Sequence, residues 1–181
     1  MTDLWNLKGV FMRLFTLIGV LLASSSMASA EVMVGFSPDG SAEKLVLQSF
    51  GQARTSIDIA VYTFTSRPVA IALLSAWRQG ISVRVLADEK LANERYSAVS
   101  MLANQGVPVR VNGHYAAQHN KFAVINRAIV QTGSLNYSKA ALTGINAENV
   151  LVISGETAVT QAYQQEFERL WAEGTPLKTN Y

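Results

Sequence analysis

The sequence predicts one α/β domain. Apolar residues recur with the period of a strand and then with the period of a helix along most of the chain, which is the pattern of a sheet layered with helices rather than a bundle or a sandwich. Of the 181 residues, 49% are apolar and 15% charged, which excludes a disordered or collagen-like chain. The absence of cysteine excludes a disulfide framework, so the fold must be held by core packing. Residues 31–181 are enough for one real core but would leave two domains small and marginal.

The elements follow in order. Residues 1–30 have the order of a secretory signal: Lys8 and Arg13, an apolar run over Leu14–Ala23, then small residues ending Ala28-Ser29-Ala30. The run is about half the roughly 20 residues a membrane span needs, so cleavage after Ala30 and a periplasmic or secreted product are expected. Residues 31–181 then form the working domain. A strand is expected over Glu31–Phe36, and Ser37-Pro38-Asp39-Gly40 reads as a turn into a helix that buries Leu45, Val46, Phe50 and Ala53. Ile57, Ile59, Val61 and Thr63 mark a strand covered on both faces. Pro68 opens the next helix, Ala70, Leu73, Leu74 and Trp77 give its apolar stripe, and Gly80 stands where a left-handed cap ends it.

A strand over Ile81–Asp88, a helix over Glu94–Gln105 closed by Gly106, and a short strand over Val107–Val111 continue the alternation. Residues 119–125 have strand character, Asn126-Arg127 is a turn, and a second strand runs from Ala128 to Thr132. Glu148–Ile153 is a further strand. The last helix carries Val159, Ala162, Tyr163, Phe167, Leu170 and Trp171 on one stripe, which makes Trp77 and Trp171 core residues rather than ligand platforms.

The net charge of +2 is too small to advertise a polyanionic or membrane partner, so any such binding must come from local placement. The informative residues lie between 114 and 154. His119 and Lys121 are two apart on a predicted strand and leave it on one face. Ser134 and Asn136, after the next strand, repeat that spacing. Two adjacent strands would thus converge an imidazole, an ammonium, a hydroxyl and a carboxamide. An imidazole can attack or shuttle a proton, while a fixed cation and neutral donors hold the non-bridging oxygens of a phosphodiester. Gly133 would let backbone approach those oxygens. Glu148 is positioned to accept the imidazole's second N–H and fix its tautomer. Each residue alone has a plainer reading: a satisfied strand histidine, a solvated lysine, a helix cap in Ser-x-Asn. The joint spacing is what changes the weight.

The pattern H-x-K, Asn126, then G-S-x-N resembles the signature of the phospholipase D superfamily, and its five fixed residues recur by chance on the order of once in a million starting positions. With Phe36-Ser37-Pro38, the strand Ile59–Phe64, Ala87-Asp88-Glu89 and the final helix, residues 31–181 look like the small bacterial, single-motif, EDTA-resistant endonuclease branch. That resemblance implies a mixed β-sheet flanked by helices on both faces. It implies a nonspecific nuclease acting on DNA, with RNA as the alternative, and needing no cofactor and no metal. It implies a homodimer, because two copies of the motif serve one phosphate and this chain carries one. In that scheme His119 forms a phosphohistidine, Lys121 and Asn136 neutralise oxygens, Ser134 supports them and Glu148 orients the imidazole. Members usually carry Asp where this chain has Asn126, which the spacing assigns to bracing a turn.

No acid cluster or H-E-x-x-H sequence suggests a metal site. For polymer binding the basic candidates are Arg54, Arg67, Arg110, Arg127 and Lys139, with Tyr115 and Tyr137 available to stack on bases. His114 belongs to no motif. The rival readings are a phospholipase or phosphatidyl transferase, for which no apolar mouth or interfacial helix is visible after residue 30, and a catalytically silent phosphodiester-binding module. No stable membrane association is expected once the signal is removed.

Overall fold

The computed structural model describes residues 29–178. All but the last two residues of the expected signal, and the last three residues of the chain, therefore lie outside the described residues. The described elements are β1 (Glu31–Ser37), α1 (Ser41–Gly51), β2 (Ser56–Val61), α2 (Arg67–Arg78), β3 (Ser82–Asp88), α3 (Glu89–Ala92), α4 (Ala98–Asn104), β4 (Val109–Asn112), β5 (Phe122–Ile125), β6 (Ile129–Gly133), α5 (Lys139–Leu142), β7 (Glu148–Ser154), α6 (Thr157–Glu173) and β8 (Thr175–Pro176).

They build one mixed sheet in the order β1-β7-β6-β5-β2-β3-β4-β8. β2, β3 and β4 are parallel neighbours, and the remaining pairings are antiparallel. One face carries the main core, in which α1, α2 and α4 cover Ile57, Ile59, Val85 and Ala123. On the other face α6 lays Phe167 and Leu170 over Ala60, Leu86, Phe122 and Val124. Alternation along β5 explains the division: Ala123 and Ile125 go to one layer, Phe122 and Val124 to the other.

Several signals act as the sequence predicts. Ser66 caps α2 by accepting from the Val69 N–H at 3.4 Å, and Gly80 ends the turn after it with φ +85°. Asn126 and Arg127 sit at φ 55° and 54°, so the β5–β6 hairpin closes on a turn with two left-handed residues, whose twist suits an antiparallel pair.

Two expectations are corrected. The helix expected over 94–105 starts only at Ala98, where Ser97 caps α4 by accepting from the Val99 N–H at 3.3 Å, and it is preceded by α3, a short helix the sequence does not predict, which Asp88 caps directly at the end of β3 through the Lys90 and Leu91 N–H groups at 3.0 and 3.1 Å. The strand expected from His119 begins only at Phe122. The buried Gln118 side chain takes the ladder's place there: its Nε2 donates to Val61 O at 3.1 Å, and its Oε1 accepts from Asn120 N–H at 2.9 Å.

The second face also buries charge. Asp58, only 3% exposed, is gripped by Arg84 through Nε and Nη2 at 2.7 and 2.8 Å. Arg84 reaches on to Glu168 and lies over the Phe167 and Trp171 rings at 4.9 and 5.4 Å. This network pins α6 to β2 and β3, since a buried carboxylate needs its partners. Trp77 and Trp171 both pack against core clusters.

Candidate active site

The site lies at the end of the sheet where the parallel strands finish. Phe122 pairs with Ala60 in the antiparallel β5–β2 register, so Lys121 and His119 emerge beyond the carboxyl end of β2. Loops outside the carboxyl ends of parallel strands are the usual ligand crevice of open α/β sheets. The backbone there is fixed from below: Asp88 Oδ2 accepts from the Gln118 N–H at 2.9 Å.

His119 is exposed. Its ring packs against Tyr62 at a centroid separation of 4.4 Å and an angle of 58°. Lys121 Nζ donates to the His119 carbonyl at 2.7 Å and stands 3.2 and 3.3 Å from the two ring nitrogens. Near-equal distances to Nδ1 and Nε2 place the ammonium over the ring rather than along either lone pair. It is also 5.3 Å from the Tyr62 centroid. Burial pulls the Lys121 ammonium below the usual lysine range, and the charge of Glu148 opposes that shift.

The second pair is held by a separate staple. Leu135 and Tyr137 are buried on either side of Asn136. The Tyr137 carbonyl accepts from the Thr65 and Ser66 N–H groups at 3.0 and 2.8 Å, and its hydroxyl donates to Gln131 Oε1. Asn136 Oδ1 is buried without a hydrogen-bond partner, a costly state for an amide unless a ligand group meets it. Ser134 Oγ donates to Glu148 Oε2 at 2.5 Å and accepts from Asn149 N–H at 3.1 Å and Nδ2 at 3.3 Å. The two motif halves are joined where Thr132 Oγ1 donates to the Lys121 carbonyl at 3.4 Å.

All five expected site residues therefore sit at this end of the sheet. Within this chain the Glu148 carboxylate bonds Ser134 and Asn146 and not His119. Its strand starts beside the loop after β6, so its carboxylate reaches Ser134 first, while the imidazole rests on Tyr62. Gly133 is also explained differently. At φ +150° a Cβ there would lie 2.2 Å from the Asn149 carbonyl, so the neighbouring strand β7 already demands glycine. Asn126 is far from the chemistry, as expected. Its Oδ1 accepts from the Arg54 and Thr55 N–H groups at 2.7 and 3.0 Å, and its Nδ2 donates to Gln52 O at 2.9 Å.

The polymer-binding candidates divide. Arg54 and Arg127 belong to the opposite end of the sheet, since Ile125 pairs with Ile57 there. Arg110 is held by the Trp171 carbonyl and ring. Tyr137 is fully buried and cannot stack on a base. Arg67 and Lys139 are exposed and start the helices that follow Phe64 and Tyr137, which bridge each other on the site side. Tyr115 is 40% exposed and, with Gln118, His119, Asn120 and Arg169, lines a groove of ≈ 400 Å³. Arg169 is already paired with Glu166 and Glu173. His114 lies in the exposed loop, edge-on to Tyr115. Sequence reading missed Tyr62, Gln118, Asp88 and Asn149. Only Asp88 carried a signal, as an acid closing a parallel strand. Among the described residues no three His, Asp or Glu side chains gather in metal-binding geometry.

A mixed sheet with an imidazole, an ammonium and a carboxamide at one end defines a hydrolase class built to grip and cleave phosphodiesters. Residues 46–171 match the family model described as cardiolipin synthase, PLD-like domain, and the chain belongs to that phospholipase D-like superfamily of phosphodiesterases. It is 38% identical over 143 residues to a mitochondrial cardiolipin hydrolase of Xenopus laevis, covering 79% of this chain and 67% of that protein. It spans 61% and 57% of the length of the cardiolipin hydrolases of Xenopus tropicalis and Drosophila melanogaster. Among solved structures, Nuc from Salmonella typhimurium, a phospholipase D family member, superposes with TM-score 0.80 at 34% identity over 83% of this chain and 100% of that one. NucT from Helicobacter pylori shares the fold, with TM-score 0.74 at 24% identity over 82% and 100% of the two chains.

Proposed function

We propose that this chain is an exported, metal-independent phosphodiesterase that hydrolyses nucleic acid, DNA first, as a homodimer with one shared site. The observation that carries the reading is His119 standing exposed in an open groove lined by Gln118, Asn120 and Arg169 as well as Tyr115, Ala117 and Leu170, its ring under the Lys121 ammonium. A groove of that kind admits a polyanionic backbone without sequence readout, whereas acyl chains need an apolar mouth. No described helix is long and apolar enough to cross a membrane.

In this mechanism His119 of one subunit attacks phosphorus, and the bond to the leaving oxygen breaks as that oxygen takes a proton from His119 of the partner subunit. The partner's now neutral imidazole removes a proton from water, the water oxygen bonds phosphorus, and the phosphorus–nitrogen bond breaks. Lys121 and Asn136 hold the non-bridging oxygens, and Ser134, braced by Glu148, keeps that donor set in place.

A second reading is hydrolysis of cardiolipin or a related phospholipid, favoured by the names of the relatives at 38% identity and below. Plasmid DNA and cardiolipin vesicles, assayed side by side with wild type and His119→Ala, separate the two. Cleavage of DNA by wild type alone, with an acid-labile phosphate trapped on His119, is the expected result. Cleavage of the lipid without DNA cleavage overturns the nuclease reading, and wild-type inactivity on both favours a silent binding module.

A further inference from the structure

No acceptor in the chain fixes the rotation of the His119 ring. Among the described residues, the one side-chain atom within hydrogen-bond reach of Nδ1 or Nε2 is Lys121 Nζ, and at 3.2 and 3.3 Å from the two it favours neither. An ammonium only donates, so it cannot hold a protonated ring nitrogen in place. His119 is also exposed and lies on the loop that leads into β5. A side chain so placed has several rotamers open to it, whereas attack on phosphorus needs the reacting atoms about 3–3.5 Å apart and aligned.

What the ring does touch is Tyr62. The centroids are 4.4 Å apart at 58°, a close, tilted aromatic pair. The same phenol ring has Lys121 Nζ 5.3 Å from its centroid, within range of cation–π attraction. Tyr62 is half-buried and follows Val61, the last residue of β2. The Val61 carbonyl accepts from Gln118 Nε2 at 3.1 Å. The loop is thus tied to the end of β2 twice in succession, Gln118 to Val61 by a hydrogen bond and His119 to Tyr62 by ring contact. Both the imidazole and the ammonium meet the Tyr62 ring, and its hydroxyl takes part in neither contact.

We propose that Tyr62 is a positioning residue, whose ring is the seat that sets the rotation of the His119 imidazole for attack on phosphorus and keeps the Lys121 ammonium beside it. The inference rests on the reading above that His119 is the nucleophile, and adds what aims an imidazole that has no carboxylate partner in its own chain.

The test is steady-state cleavage of plasmid DNA by wild type, Tyr62→Phe and Tyr62→Leu, together with NMR spectra of the imidazole protons of the three proteins without DNA. The chain has two histidines, so a spectrum of His114→Gln assigns the signals. Tyr62→Phe keeps the ring and should stay within about threefold of wild type in kcat, while Tyr62→Leu should lose roughly 10- to 100-fold in kcat with KM within about threefold. Compared at the acid and alkaline ends of its titration, the His119 ring should show the ring-current displacement of a neighbouring aromatic face in wild type and Tyr62→Phe. That displacement should vanish in Tyr62→Leu at unchanged circular dichroism.

Equal loss in Tyr62→Phe and Tyr62→Leu would give the role to the hydroxyl and overturn the ring seat. A Tyr62→Leu enzyme with wild-type kcat, or one altered in KM alone, overturns it too. If Tyr62→Leu misfolds, the other two proteins decide: a His119 ring without the displacement in wild type sinks the proposal, and a displacement kept with full kcat in Tyr62→Phe upholds it. A wild type that cleaves no DNA overturns the nuclease reading, and the spectra then decide the ring seat by themselves.

Discussion

Ser134 and Glu148 share a hydrogen bond of 2.5 Å across the gap between the loop after β6 and the first residue of β7. That bond, and not one to the imidazole, is what Glu148 contributes within the chain. It fixes the hydroxyl beside Asn136 and leaves a negative charge near Lys121. Removing it by Glu148→Ala forfeits a charge-assisted bond of about 1.5–3 kcal/mol, which as transition-state positioning lowers kcat by roughly 10- to 100-fold. Glu148→Gln keeps an acceptor and restores most of the rate at neutral pH. Equal damage by both variants would show that charge, not the hydrogen bond, matters.

In the proposed mechanism Lys121 acts in its protonated form, and burial depresses its titration. Activity should therefore be lost on raising pH through a value below the ordinary lysine figure of about 10.4. Glu148 raises the Lys121 value, so Glu148→Gln should move the alkaline limb to lower pH, whereas Lys121→Arg, charged beyond pH 12, should move it up. A limb that stays in place in both variants assigns the titration to another group.

Asn126→Asp would restore the residue usual in the family, yet it should destabilise this chain. The Asn126 Nδ2 donor to Gln52 O would become a carboxylate oxygen facing a carbonyl. Asn also suits the left-handed φ of 55° at this position. The expected loss is about 1 kcal/mol in urea denaturation, with specific activity within twofold of wild type, since the turn is at the far end of the sheet. A large fall in rate at unchanged stability would give Asn126 a role in the reaction.

Arg84→Ala tests the second face. It strips Asp58, 3% exposed, of its bidentate partner and removes the guanidinium from the Phe167 and Trp171 rings. The Gln164 Nε2 donor to Asp58 Oδ2 at 2.8 Å remains, but removing the cation paired with a buried carboxylate costs about 3–5 kcal/mol. The urea midpoint should drop at unchanged m-value, with the rate per folded molecule retained. A midpoint within experimental error of wild type would show that solvent reaches Asp58.

In the proposed mechanism Lys121 and Asn136 supply the charge and donors that a divalent ion would otherwise bring to a phosphodiester. Cleavage should survive a strong chelator. Complete loss in EDTA, restored by Mg²⁺ or Zn²⁺, would replace the metal-free mechanism.

Much of the fold was legible because local signals and layer period agree. Gly80, the Asn126-Arg127 turn and the stripe ending at Phe167 and Leu170 each point to one element boundary or one buried face. The errors came where a side chain from elsewhere replaces a backbone partner. Gln118 completes the edge of β2 with its amide, so His119 lies on a loop although its sequence alternates like a strand. Ser97 delays the start of one expected helix to Ala98, and Asp88 caps a short helix that no local period announces.

By itself the sequence determined the α/β class, the candidate set at 119, 121, 134, 136 and 148 that gathers at one end of the sheet, and the bracing task of Asn126, because type and spacing along the chain suffice for those. Only the tertiary structure decided that the ring of His119 rests on Tyr62, that Glu148 serves Ser134, that Tyr137 is core, and that β1 turns Val32, Val34 and Phe36 outward. Each of those depends on which strand lies next to which. Neighbour choice is settled by the sum of distant packing contacts, which no local period encodes.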